Sequence, residues 1–203
     1  MTKARGRKRS CASADPSRWK THRERTAIRR RGLSAPMQSL KQYGYLSGRH
    51  SVFDFGCGRG DDVRILRQKG VSAEGWDPYF APAEGCWPAD VVNMGFVVNV
   101  IEDPAERRHA LRLAFDMAER VLAVAALLKS GTRHEKARLY RDGVVTSRDT
   151  FQKLFTQAEL GDFIAKTLGR EPIPVRSGVF LVFRDDDERR AFVEGREHGR
   201  RAA

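Results

Sequence analysis

The stretch Val52-Phe53-Asp54-Phe55-Gly56-Cys57-Gly58-Arg59-Gly60-Asp61-Asp62 constrains this chain more than any other. Its first four residues, three of them large and apolar, read as a buried strand, and three alternate glycines then allow a tight turn that no side chain obstructs. Asp61 and Asp62 open an amphipathic helix that carries Val63, Ile65 and Leu66 towards Gly70, with both acids at its positive end. Strand, glycine turn and helix together present backbone amides to a small anionic group. The spacing is G-x-G-x-G, with no Lys-Ser/Thr after it, which excludes a P-loop.

Two carboxylates narrow the ligand. Asp54 lies two residues before the first glycine, at the strand end, where it suits a cationic amino group and would repel a pyrophosphate. Asp77, in Gly75-Trp76-Asp77-Pro78, closes the next strand 17 residues after Gly60, where a carboxylate can accept both hydroxyls of a ribose. The pair favours S-adenosylmethionine over a dinucleotide, with another nucleotide-binding Rossmann site as the alternative. The expected cofactor contacts are Asp54, Phe55, Gly56, Cys57, Gly58, Gly60, Asp77, Pro78 and Asn93. Methyl transfer needs little acid–base help, only a nucleophile held in line and water kept out.

Elsewhere the chain alternates strand and helix patterns. Ser34 can cap a short helix with Pro36 in its first turn, Met37, Leu40 and Tyr43 on one face and Gly44 as the stop. Val71 to Trp76 reads as the second strand. The thirteen residues between Trp76 and Asp90 hold three prolines, too little room for a full helix and strand, so the third βα unit is shortened. Val91 to Met94 is the next strand. Asp103-Pro104-Ala105-Glu106 starts a helix that ends near Glu119 or Arg120, and Val121 to Leu128 is a buried strand after it. Gly131 to Arg141 is polar and reads as a loop. Thr156 to Glu159 forms a capping box with a Phe155–Leu160 staple, and that helix stops at Gly169. Gly178 to Phe183 is a last strand, antiparallel at the sheet edge. The expected fold is therefore a Rossmann-like α/β sandwich, mostly parallel, with an antiparallel edge strand.

Residues 1–31 hold twelve Lys and Arg against only Asp15 and Glu24, so +10 of the chain's +12 lies there. This basic segment suits a nucleic-acid partner, DNA above all, though a solubilising tail with no specific role would look the same. The expected division is a disordered basic arm over 1–22, the α/β domain over 23–186 and a charged tail over 187–203, with a short helix about Phe192. Three scattered cysteines and five isolated histidines show no metal-ligand spacing, and no metal is expected. No apolar run approaches the ~20 residues of a membrane helix, and the start lacks the apolar stretch of a secretory signal, so a cytoplasmic protein is expected.

Asn93-Met94-Gly95-Phe96 stands where amino-directed DNA methyltransferases carry an Asn/Asp-Pro-Pro-aromatic motif that holds a flipped base. It keeps the Asn and the aromatic but neither proline. Asn93 is thus the candidate catalytic residue, set against a strand end that only lines the cofactor pocket. Cys57 lies inside the turn and Cys86 follows a glycine, so cytosine-C5 chemistry is not expected.

Several stretches together resemble the methyltransferases associated with bacterial DNA phosphorothioation systems. They are Thr26-Ala27-Ile28 with Leu33-Ser34, the glycine motif, Gly75-Trp76-Asp77-Pro78-Tyr79, Asp90-Val91-Val92-Asn93, and Asn99-Val100-Ile101-Glu102-Asp103-Pro104-Ala105-Glu106-Arg107-Arg108. Thr150-Phe151-Gln152-Lys153 and Gly178-Val179-Phe180 complete a pattern running from Thr26 to Asp185. The resemblance implies a class I methyltransferase fold, S-adenosylmethionine as cofactor, and partners in a DNA-modification or defence system. An RNA or small-molecule methyltransferase and a non-catalytic accessory subunit are the alternatives.

Overall fold

In the computed structural model, which describes residues 16–129 and 137–201, two short 3-10 turns (Pro16–Arg18 and Arg23–Thr26) lead into α1 (Ala35–Gln42), β1 (Val52–Phe55) and α2 (Asp61–Gln68). Then come β2 (Ala73–Trp76), β3 (Ala89–Gly95), α3 (Pro104–Met117) and β4 (Ala118–Ala125). Three short strands follow, β5 (Arg138–Tyr140), β6 (Gly143–Val145) and β7 (Phe151–Gln152). The chain closes through α4 (Gln157–Leu168), β8 (Ile173–Arg176), β9 (Val179–Phe183) and α5 (Asp186–Arg201).

The six longer strands form one sheet in the order β2-β1-β3-β4-β9-β8. Its first three pairings are parallel, and β9 runs antiparallel to both β4 and β8. Residues 77–88 form turns where a third βα unit would stand. This is the Rossmann-like sandwich with a shortened third unit and one antiparallel strand, but that strand, β9, lies one place in from the edge, because β8 pairs outside it.

Side chains that alternate along the strands divide into two cores. Phe53, Phe55, Val92, Met94, Leu122 and Val124 pack under α3 and α4, against Leu111, Phe115, Leu160 and Ile164. Val52, Val91, Val121 and Ala123 pack on the other face with Met37, Leu40 and Leu66 of α1 and α2. The same alternation puts Asp54 and its register partner Asn93 on the α1–α2 side, two polar residues among apolar neighbours.

Local signals for the helices hold in most places. Asp103 Oδ1 accepts from Ala105 N at 2.7 Å and Glu106 N at 3.2 Å. The Thr156–Glu159 capping box forms in both directions, and Gly169 ends α4 at φ 63°. Ser34 stands at the N-cap of α1 but makes no side-chain cap; its N–H goes instead to Asp62 Oδ1 at 2.8 Å. α3 ends at Met117, earlier than expected, because Ala118 already pairs with Ala89 and the sheet takes the chain over.

Three segments differ from expectation. Of the polar stretch read as a loop, residues 131–136 lie outside the described residues, and Arg138–Tyr140 is the first strand of a small antiparallel sheet, β5-β6-β7. The charged end is a sixteen-residue helix, anchored where Phe192 meets Tyr43 at 4.9 Å and Phe183 at 5.0 Å. Residues 1–15 of the expected arm lie outside the described residues, but the chain is docked on the domain by residue 20: Lys20 N donates to Glu102 Oε1 at 3.0 Å and His22 N to the Asp149 carbonyl at 2.8 Å. Among the described residues, no helix is long and apolar enough to cross a membrane.

Candidate active site

The carboxyl ends of β1, β2 and β3 open into a cavity of about 1110 Å³, mouth included, and eight of the nine expected cofactor contacts line it: Asp54, Phe55, Gly56, Cys57, Gly58, Asp77, Pro78 and Asn93. Gly60 does not. It is the N-cap of α2 at φ 72°, so its part is to turn the chain into the helix.

At the cavity floor Asn93 Nδ2 donates to Asp54 Oδ1 at 2.7 Å. Asp54 and Asn93 are only 4% and 2% exposed. Burial pushes the Asp54 carboxyl up to about 7, and the nearby Asp62 charge adds to this while the Asn93 amide opposes it. Asn93 Oδ1 is buried with no partner. With its Nδ2 held by Asp54, Asn93 sits within β3 as a floor residue and does not stand free at the strand tip.

The glycine turn is held from two sides. Gly56 N and Cys57 N donate to the Trp76 carbonyl at 2.8 and 3.0 Å, and Gly58 N donates to Asp77 Oδ2 at 3.0 Å. Gly56 has φ 78°, and a Cβ there would sit 2.4 Å from Val97 Cγ2, so no other residue fits without displacing that wall. Gly75 answers a second close approach: its Cβ would meet Val63 Cγ2 at 2.8 Å and Cys57 Cβ at 2.9 Å, separating α2 from the sheet. Asp77 Oδ1 accepts from Tyr79 N and Phe80 N, both at 2.9 Å. Three of its roughly four lone-pair positions are therefore taken by backbone. The carboxylate that sequence alone assigns to two ribose hydroxyls has room for one, and it also fixes the turn. The Cys57 thiol is pushed up by burial and then by the Asp54 and Asp77 charges, which leaves it unreactive.

The roof is the feature that sequence reading missed. Residues 19–34 cross over the cavity as a strap, and Trp19, Arg23, Ala27, Arg30 and Ser34 line it. One end is clamped by the first turn of α2, where Asp61 Oδ2 accepts Arg30 N at 2.7 Å and Asp62 Oδ1 accepts Ser34 N. The two acids hold the strap as well as favouring the helix start. The other end is clamped by Arg23, itself 7% exposed. It donates to Glu102 Oε2 at 2.7 Å and forks onto Glu106 at 2.5 and 2.7 Å. Burial works to lower the Arg23 pKa, but the bonds to Glu106 and Glu102 outweigh it and the guanidinium stays charged. Its plane also lies 5.0 Å from the Trp19 ring. The Glu102–Glu106 spacing, i and i+4 at a helix start, was the available signal for a buried cation partner.

Phe96 follows β3 at φ 64°, a conformation costly for a bulky residue and concentrated at functional sites. Its ring lies between this cavity and a second one under the small sheet, with the Arg30 guanidinium 5.7 Å from its centre. Among the described residues, five buried side-chain N or O atoms lack a partner, and four of them belong to residues lining these two cavities: Trp19 Nε1, Ser34 Oγ, Asn93 Oδ1 and Asn99 Oδ1. Orphaned polar atoms are rare inside proteins, and such a concentration marks a place where water or a ligand completes the bonding.

Residues 19–159 match the family model described as Methyltransferase domain. The chain belongs to this methyltransferase family. Strap, cavity and small sheet all lie within the matched span. No curated relative matches the sequence. Among solved structures, this methyltransferase resembles the 1,6-didemethyltoxoflavin-N1-methyltransferase of Burkholderia thailandensis, solved with 1,6-didemethyltoxoflavin and S-adenosylhomocysteine. The TM-score is 0.53 at 16% identity, over 73% of this chain and 78% of that one. The sugar N-methyltransferase KedS8 of Streptoalloteichus sp ATCC 53650 gives 0.53 at 15%, over 78% and 96%. CalS10, an amino pentose methyltransferase of Micromonospora echinaspora with S-adenosylmethionine bound, gives 0.52 at 16%, over 76% and 93%. At these identities the likeness is one of fold.

Proposed function

We propose that the roofed cavity of this methyltransferase binds S-adenosylmethionine and that the methyl acceptor is nucleic acid, DNA first. The observation that carries the cofactor reading is the pairing of unsatisfied groups in one cavity. Asn93 Oδ1 beside the Asp54 carboxyl suits an ammonium, while Trp19 Nε1 and Ser34 Oγ suit a carboxylate. An amino-acid moiety carries both charges; a dinucleotide carries neither ammonium nor carboxylate at that place. The remaining capacity of Asp77 suits a ribose hydroxyl.

When bound, the cofactor supplies an electrophilic methyl group on a sulfonium. The chain's own residues do the rest. Asp54 and Asn93 orient the cationic end, the strap excludes water, and Phe96 forms the wall across which an acceptor must approach. Asn93 then serves the cofactor side, and its catalytic part is one of positioning.

Support for a nucleic-acid acceptor comes from charge and from the phosphorothioation-associated resemblance. Arg25, Arg29 and Arg31 lie on the strap, in the most basic part of the chain. A second reading, a small-molecule acceptor, is favoured by the fold neighbours, which are named for toxoflavin and sugar substrates. Incubation with methyl-tritiated S-adenosylmethionine and separate DNA, RNA and metabolite pools distinguishes them. Label in DNA is expected. Label confined to the metabolite fraction selects the second reading, and failure to bind the cofactor at all removes both.

A further inference from the structure

Beyond Phe96 lies the second cavity, of about 1590 Å³ with its open mouth, set between the strap and the β6–β7 turn of the small sheet. Its walls are tied together by one backbone and one side-chain bond: His22 N donates to the Asp149 carbonyl at 2.8 Å, and the Arg25 guanidinium donates through Nη1 to the Arg148 carbonyl at 3.3 Å. Among the described residues lining it are three arginines, Arg25, Arg30 and Arg148, and no carboxylate. Arg25 lies 3.8 Å from Glu24, which does not line this cavity, while Arg148 and Arg30 form no ion pair among the described residues. Among the described residues, its lining is short of negative charge.

Its inner end is built differently. Asn99, 1% exposed, donates through Nδ2 to Gln152 Oε1 at 2.8 Å, and Lys153 N holds the Asn99 carbonyl at 2.7 Å. Asn99 Oδ1 is left buried without a partner. A buried amide locked by one bond, with an acceptor oxygen unused, is arranged to receive an N–H from something that enters. The Phe96 ring and Ile28, which is 57% exposed, add apolar surface on the same walls. Both residues also line the donor cavity, so a molecule seated here lies against the wall it shares with the cofactor site.

We infer that this second cavity is the acceptor site and that it takes a nucleotide unit. Arg25 and Arg148 meet the phosphate at the mouth, Phe96 and Ile28 flank the planar base, and Asn99 Oδ1 accepts from an N–H on the base edge. Asn99 is then the residue that selects among bases, because a base without a donor at that place leaves the oxygen buried and unpaired. The inference rests on the methyltransferase reading of the neighbouring cavity. The same chemistry arises from a free nucleotide or from one nucleotide of a strand.

The test is binding by the full chain, with S-adenosylhomocysteine present, of the four deoxynucleoside 5′-monophosphates and of a short fluorescein-labelled single strand of mixed sequence, with inorganic phosphate as control. Arg148→Glu changes an exposed side chain, so it leaves folding intact. It is expected to weaken nucleotide or strand binding roughly tenfold or more, as removing one charge-assisted hydrogen bond should. Asn99→Leu is expected to flatten the preference among bases while phosphate binding stays weak and unchanged. Binding of the strand alone, sensitive to Arg148→Glu, assigns the source to nucleic acid; binding of monophosphates as well assigns it to the free nucleotide. Affinity no better than for inorganic phosphate, or insensitive to Arg148→Glu while S-adenosylhomocysteine still binds, overturns the inference. If S-adenosylhomocysteine itself fails to bind, the cofactor reading falls first, and the acceptor site with it.

Discussion

Burial at the floor of the cavity lifts the Asp54 carboxyl from its ordinary 3.8 to about 7, so the folded chain holds a proton there that the unfolded chain releases near pH 4. The sign follows from proton counting. Between these values the folded state binds more protons, so stability contributed at low pH is lost as pH rises towards 7. At ~1.4 kcal/mol per unit, the loss is at most ~4 kcal/mol. Asp54→Asn, nearly the same shape and unable to ionise, is therefore expected to raise the urea midpoint at pH 8 and leave it almost unchanged at pH 4. Equal effects at both pH values would show that the carboxyl is not strained. A chain that keeps a destabilising acid in its core, beside an asparagine oxygen without a partner, is exchanging stability for a site.

The strap is the element on which the site depends. Arg23→Ala would leave Glu102, 2% exposed, as an uncompensated buried charge, at an expected cost of ~3–5 kcal/mol. Cofactor affinity should fall with it, because the roof opens; denaturant unfolding and calorimetry on one variant check both. Thr156→Ala, which breaks only the α4 capping box, is expected to cost ~1 kcal/mol and leave cofactor affinity alone. The helices with caps were legible in the sequence because a cap is decided within four residues. The strap was not. Its order comes from Arg23 bonds to residues 79 and 83 positions away, in a stretch whose first part, up to residue 22, reads as disorder and whose remainder shows no periodic pattern to place it over a cavity. The strands β5 to β7 are two or three residues long, too short for a period-two pattern to register. α5 is amphipathic, but Phe192 and Val193 are its only large apolar residues, so its length is set by packing on β9 and Tyr43 that local sequence does not show.

For the whole molecule, the mostly parallel α/β sheet and the reduced third unit followed from the alternation of strand and helix patterns and from the three prolines between Trp76 and Asp90, while the strand order came only from the structure. The site was legible where one residue type does one job, as at Asp54 and Gly56. It was less so where a side chain does two, as Asp77 does in holding the turn and facing the cavity. Charge also changes meaning once the chain is folded. Arg23, counted among the twelve basic residues of 1–31, is consumed by Glu102 and Glu106, so on the proposed nucleic-acid reading phosphates would fall to the exposed arginines and to Lys3, Arg5, Arg7, Lys8 and Arg9. Removing residues 1–15 is expected to lower the salt dependence of DNA affinity by ~0.9 in log–log slope for each phosphate that the arm neutralises. Anisotropy titrations across salt concentrations measure it, and an unchanged slope would assign phosphate binding to the strap alone.

The most direct test of the central claim, a roofed cavity that holds S-adenosylmethionine by its cationic end against Asp54, is a calorimetric titration from pH 5 to 7. The cofactor's α-amino group stays charged over that range, with an ordinary pKa of ~7.7–8.0. Because a bound cation favours the ionised carboxyl, wild-type affinity should rise up to about tenfold per pH unit, with protons released on binding, while Asp54→Asn should bind more weakly and show no such dependence. Wild-type affinity that is flat across this range, or a pH dependence that survives in Asp54→Asn, would contradict the account.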